Sequence, residues 1–298
     1  MGWRIVHIKE GELLRLKLDN VEIVKLSKKV YVPLSDINMI ILEGNRTTIT
    51  TKLLVGLSHN NIGLVICDDK YLPVGMYLPY GQYHHAAKRV IEQAQWTTEQ
   101  KAIMWRQVIG QKMKNQVAFA RYKGIEQERL EIMEHLIVEL TDGDLTNREG
   151  HVAKVYFDSL FGNSFTRDDE VLANYAMNFG YAIERSCVAR CVVGDGLNSM
   201  LGIFHHNEFN SFNLADDLME PFRPLMDYWI DKQVLAQDDY LSYEARIKLI
   251  DFMNQTMIIN RQQMSMDHVM QLFVQSFITA MTTNDPTALL EIKLQDFI

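Results

Sequence analysis

The sequence predicts an α+β protein: a mainly β, sandwich-like N-terminal domain over residues 1–79, a linker over 80–87 and an all-helical domain over 88–298. Three observations predict it. Short runs rich in Val, Ile and Leu, broken by turn residues, occupy the chain from Trp3 to Pro79. Beyond the turn-prone, uncharged stretch Pro79-Tyr-Gly-Gln-Tyr-His-His85 the apolar period changes from about two to about three and a half. At 298 residues, 47% hydrophobic and 10% aromatic, with 16 Gly and 6 Pro, the chain has enough apolar side chains for packed cores and too few breakers for a fibrous or low-complexity protein.

In the first domain, strands are expected at Arg4 to Ile8, Glu12 to Leu18, Val21 to Leu26, Lys29 to Pro33 and Asn38 to Leu42. Leu14-Arg-Leu-Lys-Leu18 and Val21-Glu-Ile-Val-Lys-Leu26 alternate, as half-buried strands of an antiparallel sheet or sandwich do. Thr51 to Asn60 reads as a short helix, Ile62 to Cys67 as a buried strand and Tyr71 to Leu78 as a last strand. In the second domain Thr97 with Gln100 resembles a capping box, opening a helix whose stripe is Trp105, Val108, Ile109, Met113, Val117 and Ala120. Leu130, Met133, Ile137 and Leu140 make another stripe. Helices are then expected at Thr146 to Leu160, Asp168 to Arg190, Leu197 to His205, Leu214 to Leu235, Tyr243 to Ile259 and Ser265 to Met281, with a tail from Pro286.

Charge is uneven along the chain. Residues 1–80 hold 10 basic and 8 acidic side chains, 81–129 hold 9 and 4, and 130–298 hold 11 and 26, for a net charge of −8. An acidic total opposes non-specific nucleic-acid binding, but the local excess of Lys88, Arg89, Lys101, Arg106, Lys112, Lys114, Arg121 and Lys123 suits either a solvated helix surface or a track for phosphates. The crowded carboxylates of the C-terminal half repel one another unless some hold cations. Three cysteines, Cys67, Cys187 and Cys191, cannot make a disulfide framework and suit a reducing compartment, so a cytoplasmic location is expected. Met1-Gly-Trp-Arg-Ile-Val6 has no apolar segment of signal-peptide length and lacks the Ser or Thr of a myristoylation site. No stretch is apolar enough for a membrane span.

Phosphate-binding glycine loops, Gly-x-Ser-x-Gly, His-Glu-x-x-His and Cys-x-x-Cys are all missing, which disfavours P-loop ATPase, serine hydrolase and zinc-finger chemistry. Cys187 and Cys191 extend the stripe Leu172, Ala176, Phe179, Ile183, so they read as core. The adjacent histidines of Phe204-His-His-Asn207 would point about 100° apart on a helix, so at most one serves a given metal. The acidic candidates are Glu149, in Asn147-Arg-Glu-Gly-His151, and the run Leu214-Ala-Asp-Asp-Leu-Met-Glu-Pro-Phe-Arg-Pro224. Each has an ordinary structural explanation. Thr146 and Glu149 match a capping box, and Asn213 with Asp216 and Asp217 would cap a helix and complement its dipole.

The combination points further. Asp217 and Glu220, three apart, share a helix face, and Pro221 and Pro224 force a break or kink that re-aims groups beside Glu220. His205 borders an apolar stripe, the usual place of a satisfied core histidine, yet it completes a set of one imidazole and two or three carboxylates. That set suits Mn²⁺ or Mg²⁺ and not structural zinc.

At these residues the sequence resembles the CRISPR adaptation integrases, the CRISPR-associated endonucleases that insert new spacers into the repeat array. The matching stretches are Arg148-Glu-Gly-His-Val-Ala-Lys-Val-Tyr-Phe157, Asn174-Tyr-Ala-Met-Asn-Phe-Gly-Tyr181, Gly196-Leu-Asn-Ser-Met-Leu-Gly-Ile-Phe-His-His206 and Asn213-Leu-Ala-Asp-Asp-Leu-Met-Glu-Pro-Phe-Arg-Pro224. The form of the last, with the overall length, resembles the type II branch, subtype II-A. One departure is Ser199, where many members carry Pro. The resemblance implies that Glu149, His205 and Glu220 are catalytic ligands of Mg²⁺ or Mn²⁺, with Asp217 close enough to bind directly or through water. It implies transesterification, in which a DNA 3′-hydroxyl attacks a repeat-boundary phosphodiester without ATP, as part of antiviral defence.

It further implies a homodimer formed through the β domain, a dimer of the small second adaptation protein, double-stranded prespacer and repeat DNA, and other type II-A adaptation proteins with the effector nuclease. Lys154 and Arg223 are candidates for phosphate contacts, as are Lys112 and Lys114, whose joint charge reversal is expected to weaken DNA binding and flatten its salt dependence. The competing readings are a metal-dependent nuclease or branched-DNA resolvase without integration, and a non-catalytic DNA-binding scaffold.

Overall fold

Alternating and continuous apolar runs in the first part of the chain form, in the computed structural model, β1 (Arg4–Ile8), β2 (Leu13–Lys17), β3 (Asn20–Lys25), β4 (Lys28–Pro33), β5 (Ile37–Leu42), β6 (Thr48–Ile49), the helix α1 (Thr51–His59), β7 (Gly63–Cys67) and β8 (Pro73–Tyr77). The structure describes residues 4–297 except 12, 27, 45 and 80–84. The first five residues of the expected linker, 80–84, and the expected strand start at Glu12 therefore lie outside the described residues.

Strands β4-β3-β2-β6 form one sheet, antiparallel except for the short parallel β2/β6 pair, with Leu18 and Asp19 both at positive φ in the tight β2–β3 turn. The other sheet, β1-β5-β7-β8, departs from the antiparallel expectation: β1/β5 and β5/β7 are parallel, and only β7/β8 is antiparallel. The reason is connectivity, because α1 carries the chain back across between β5 and β7 and a crossover of that kind delivers a parallel neighbour. Central strand β5 is buried at every residue, the pattern of a strand covered on both faces. Its Ile40 and Leu42 join Leu14, Val21, Leu53 and Leu57 in a small core between the sheets. Met39 and Ile41, with Val65 and Cys67 of β7, face the large helical core.

The helical half consists of α2 (Ala86–Ala94), α3 (Thr98–Tyr122), α4 (Gln127–Val138), α5 (Arg148–Phe161), α6 (Leu172–Gly194), α7 (Asn213–Met219), α8 (Arg223–Ile230), α9 (Tyr243–Asp251), the strands β9 (Thr256–Ile259) and β10 (Gln262–Ser265), and α10 (Met266–Thr283). Thr97 and Gln100 form the capping box of α3, and the Trp105 to Ala120 stripe is buried. All three cysteines are buried thiols, and burial pushes Cys67 up to about 12. Buried polar links tie the halves: Asn38 Nδ2 donates to Asp267 (2.5 Å), and Arg246 donates to both oxygens of Glu43 (2.7 and 3.2 Å). No helix among the described residues is long and apolar enough to cross a membrane.

Three expected helices differ. Leu197 to His205 is an irregular loop, because Gly196 (φ 84°) closes α6 and side chains satisfy the loop's backbone in place of helical partners. The run Leu214 to Leu235 is split after Met219, where Pro221 and Pro224 cannot donate, and α8 resumes with Pro224 in its first turn. Tyr243 to Ile259 stops at Asp251, and its end becomes a β9–β10 hairpin turning at Asn260 and Arg261, both at positive φ. Thr256, Met257, Ile258 and Ile259 alternate exposed and buried, so the period of two won over the neighbouring helical pattern.

Candidate active site

Helix α3 is the spine of the site. Lys112 lies in its middle, on the face of Val108 and Ile109, and is only 8% exposed. An ammonium so placed needs counter-charges, and two distant elements bring them. Its Nζ is 2.5 Å from Oε1 of Glu149 and 2.5 Å from Oε2 of Glu220.

Glu149 is free for this pairing because the capping box with Thr146 does not form. Asp144 takes the role, accepting from the N–H groups of Arg148 (2.7 Å) and Glu149 (3.0 Å) at the start of α5. Glu220 sits in the proline break between α7 and α8. The carbonyl of Pro221 is caught by Asn115 Nδ2 (3.0 Å), whose amide also bonds Ile292 O and Leu294 N, both at 3.0 Å. Asn115 is thus fully used, joining α3, the Glu220 turn and the C-terminal segment. Asn115→Ala is expected to lower stability by about 2–3 kcal/mol, read in a urea melt, because it strands buried backbone groups; a loss below about 0.5 kcal/mol would contradict that role.

His205 is held by Asp217, which is fully buried. Oδ2 of Asp217 accepts from the backbone N–H groups of Ile203 (2.6 Å) and Phe204 (3.1 Å). Its Oδ1 accepts from the N–H of His205 (3.0 Å) and lies 2.7 Å from the ring's Nδ1. Both oxygens of Asp217, expected to bind a metal directly or through water, accept hydrogen bonds here, and the side chain fixes the imidazole so that Nε2 is the available nitrogen. Asp217 does not serve as the dipole-complementing residue of α7. Asn213, expected as a cap, donates from Nδ2 to Met200 O (3.1 Å) and Asn207 O (2.9 Å), and Gln93 Nε2 holds the carbonyls of Asn198 (2.9 Å) and Leu201 (2.8 Å). A Cβ on Gly202 would strike the His205 carbonyl and the Asp217 carboxylate, so the loop requires glycine there. Phe204 stacks on Trp105 (4.2 Å between centroids), and Trp105 meets His205 edge-on.

Electrostatics follow from this packing. Burial opposes charge on Lys112, but Glu220 and then Glu149 outweigh it and raise its pKa. Burial likewise opposes ionisation of Glu220, and Arg223, Lys112 and His205 together pull its pKa down. His205 is raised, chiefly by its bond to Asp217 against the cost of burial, with Glu220 adding to the effect. Behind the site Asp227 accepts from Tyr156 (2.8 Å) and Tyr181 (2.5 Å), and burial lifts its pKa to about 6 despite those bonds. Its neutral form stabilises the fold fully below the unfolded value of about 4, and that contribution is lost as pH rises through about 6. Asp227→Asn should remove this part of the pH dependence, so that the stability gap between variant and wild type changes between pH 4 and 7; a constant gap would contradict it.

Glu149 and Glu220 therefore share one cation, the Lys112 ammonium, and His205 lies within electrostatic range of Glu220. Among the described residues, however, no three His, Cys, Asp or Glu side chains close into a ready metal group, and the Lys112 ammonium stands between the two carboxylates. The donor chemistry still fits a hard divalent ion. Buried Glu220 and half-buried Glu149 turn oxygens toward one point, and the Lys112 ammonium between them is a stand-in cation.

The basic residues are distributed differently from expectation. Lys112 belongs to the site and points away from Lys114, two residues on, which is exposed beside Arg106 in an open polar cleft of about 470 Å³. A joint charge reversal of Lys112 and Lys114 would thus disrupt the carboxylate pair itself. Arg106, Arg121 and Lys123 are paired with Asp142, Glu134 and Asp231. Lys154 is exposed on α5, and Arg223 lies beside Glu220 (3.4 Å) and over the Tyr181 ring. The residues that sequence reasoning missed are Lys112 in its actual place, Asp144 and Asn115. A lysine three and four residues beyond Ile109 and Val108, inside an apolar stripe, was the available signal for the first.

Comparisons with known proteins bear on the family and the fold. The family model described as CRISPR associated protein Cas1 matches residues 5–262. The CRISPR-associated endonuclease Cas1 of Neisseria meningitidis serogroup C is 40% identical over 229 residues, covering 76% of this chain and 74% of that protein. Among solved structures, a Cas1 protein from Thermotoga maritima superposes with TM-score 0.78 at 17% identity, covering 94% of this chain and 97% of the other. A casposase bound to integration product superposes with TM-score 0.70 at 17% identity, covering 99% and 95%. At those identities the structural likeness is one of fold.

Proposed function

The chain belongs to the Cas1 family, and from that premise we propose that it is a metal-dependent DNA integrase and endonuclease that inserts spacer DNA into a CRISPR array. The observation that carries this reading is the sharing of one cation by Glu149 and Glu220, beside an imidazole whose Nδ1 is tied off by Asp217. The reaction is a transesterification: a DNA 3′-oxygen forms a bond to a repeat-boundary phosphorus as the existing P–O bond breaks, the hydroxyl proton leaves to solvent, and the displaced oxygen of the repeat strand takes up a proton to become a hydroxyl.

Glu149, Glu220 and Nε2 of His205 would hold Mg²⁺ or Mn²⁺. When bound, the ion supplies Lewis-acid polarisation of the phosphoryl oxygen and favours the alkoxide nucleophile. The protein's own groups do the rest. Asp217 keeps the imidazole oriented, the proline break presents Glu220, and Arg223, partly exposed beside Glu220, offers a guanidinium to the phosphate. His205 acts as ligand and not as general base, since Asp217 takes up its Nδ1 and fixes the ring with Nε2 as the available nitrogen. The casposase captured with its integration product supports strand joining as the chemistry of this fold.

The same reading includes a homodimer through the β domain, a dimer of the small second adaptation protein, prespacer and repeat DNA as substrates, and a cytoplasmic location. It also places the chain in the type II branch, subtype II-A, alongside that system's other adaptation proteins and effector nuclease. Incubation with Mn²⁺, a short duplex with free 3′ ends and a supercoiled repeat plasmid is expected to give half-site products. Nicks alone would identify a nuclease without integration.

A further inference from the structure

Lys112 marks the cation position shared by the two carboxylates, but the proposed reaction gives the lysine itself no role. Its ammonium is within 2.5 Å of an oxygen of each, the only side chain among the described residues that pairs with both. Helix α3 cannot carry it away, because Val108, Ile109 and Met113 around it are fully buried. Its four-carbon stem can rotate, so the ammonium can leave the two carboxylates while the helix stays in place.

The charge balance decides between sharing and exchange. Two carboxylates carry two negative charges; one ammonium offsets one of them, and a divalent ion offsets both. Keeping the ammonium in place beside the ion would put like charges at contact distance in a buried setting, where repulsion is strong. Arg223, already beside Glu220, adds a further positive charge against that arrangement.

We infer that Lys112 is the resident cation of the Glu149–Glu220 pair, holding the two carboxylates in register in the metal-free protein and being displaced from between them when a divalent ion binds. This rests on the proposed divalent site. It assigns Lys112 a positioning role and makes metal loading an exchange of cations, so the lysine lowers metal affinity while preserving the site's shape.

The test uses the whole protein without DNA. Lysines are acetylated with acetic anhydride with and without Mn²⁺, and each site is quantified by mass spectrometry, with exposed Lys114 as internal reference. The expected result is a rise of about tenfold or more in Lys112 labelling when Mn²⁺ is present, with Lys114 unchanged, since displacement exposes the ammonium. In parallel, Lys112→Met should bind Mn²⁺ about tenfold more tightly by calorimetry. The variant's Tm should be lower without metal and recover with it. Mn²⁺ binding with Lys112 still protected, or unchanged or weaker affinity in Lys112→Met, would overturn the exchange while leaving the divalent site standing. No Mn²⁺ binding by either protein would overturn both. Should the variant fail to fold, the labelling of the wild-type protein decides alone.

Discussion

Glu220→Gln is expected to reduce strand transfer by about a thousandfold while leaving duplex binding within about threefold of wild type. The size follows from losing several kcal/mol of transition-state charge stabilisation, at about 1.4 kcal/mol per factor of ten. The substitution keeps the side chain's shape but removes the charge that Lys112 and Arg223 both meet. Glu149→Gln and His205→Ala should give losses of the same order, because the site acts as a unit and such effects do not add. A half-site integration assay with Mn²⁺, run beside a DNA-binding assay, reads both quantities. Full activity in any one variant would remove that residue from the site.

Asp217→Ala is expected to have the second largest effect, and it acts by a different route. Three backbone N–H groups and the His205 ring depend on that carboxylate. Without it the N–H groups of residues 203–205 lose their acceptor, at a cost of about 3 kcal/mol or more in a chemical melt. Mn²⁺ affinity should fall about 10- to 100-fold because the imidazole is no longer oriented. Asp217→Asn keeps one acceptor oxygen in the same volume but turns its amide N–H₂ toward N–H donors, so it should recover only part of the stability and not the full affinity. Equal stability in Asp217→Ala and wild type would show that the loop is held by other contacts.

These expectations separate what local sequence can carry from what it cannot. Pro221 and Pro224 announce the break beside Glu220, because a missing N–H and a fixed φ act on the residues next to them. The Thr97–Gln100 cap and the core stripe of α6 were legible for the same reason. The loop that carries His205 was not, since its backbone is satisfied by Asp217, twelve residues on, and by Gln93, more than a hundred residues back. Its own residues read as a helix only while those partners are unknown. Glu149 presents a similar case. Thr146 three residues before it forms a textual capping box, and only the fold reveals that Asp144 does the capping and leaves Glu149 to Lys112.

Lys112 was obscured by composition. It lies in the stretch of highest basic excess, where a lysine is most simply read as a solvated or DNA-facing charge, although its spacing places it on the buried stripe of α3. The β9–β10 hairpin was hidden by a helical pattern that continues from Tyr243, and the alternation of Thr256 to Ile259 was too short to outweigh it. In the β domain the strands were legible from their period, but the parallel pairing of β1, β5 and β7 depends on which segments cross over, and that is set by tertiary packing.

The central claim is that Glu149, Glu220 and His205 form one divalent-ion site. The most direct measurement is a crystal structure of the protein grown with Mn²⁺, with an anomalous difference map collected at the manganese edge. The expected result is one peak bonded to carboxylate oxygens of Glu149 and Glu220 and to Nε2 of His205, with the Lys112 ammonium no longer between the carboxylates. A saturating Mn²⁺ concentration that leaves no peak among these three residues, with Lys112 still bridging the pair, would contradict it.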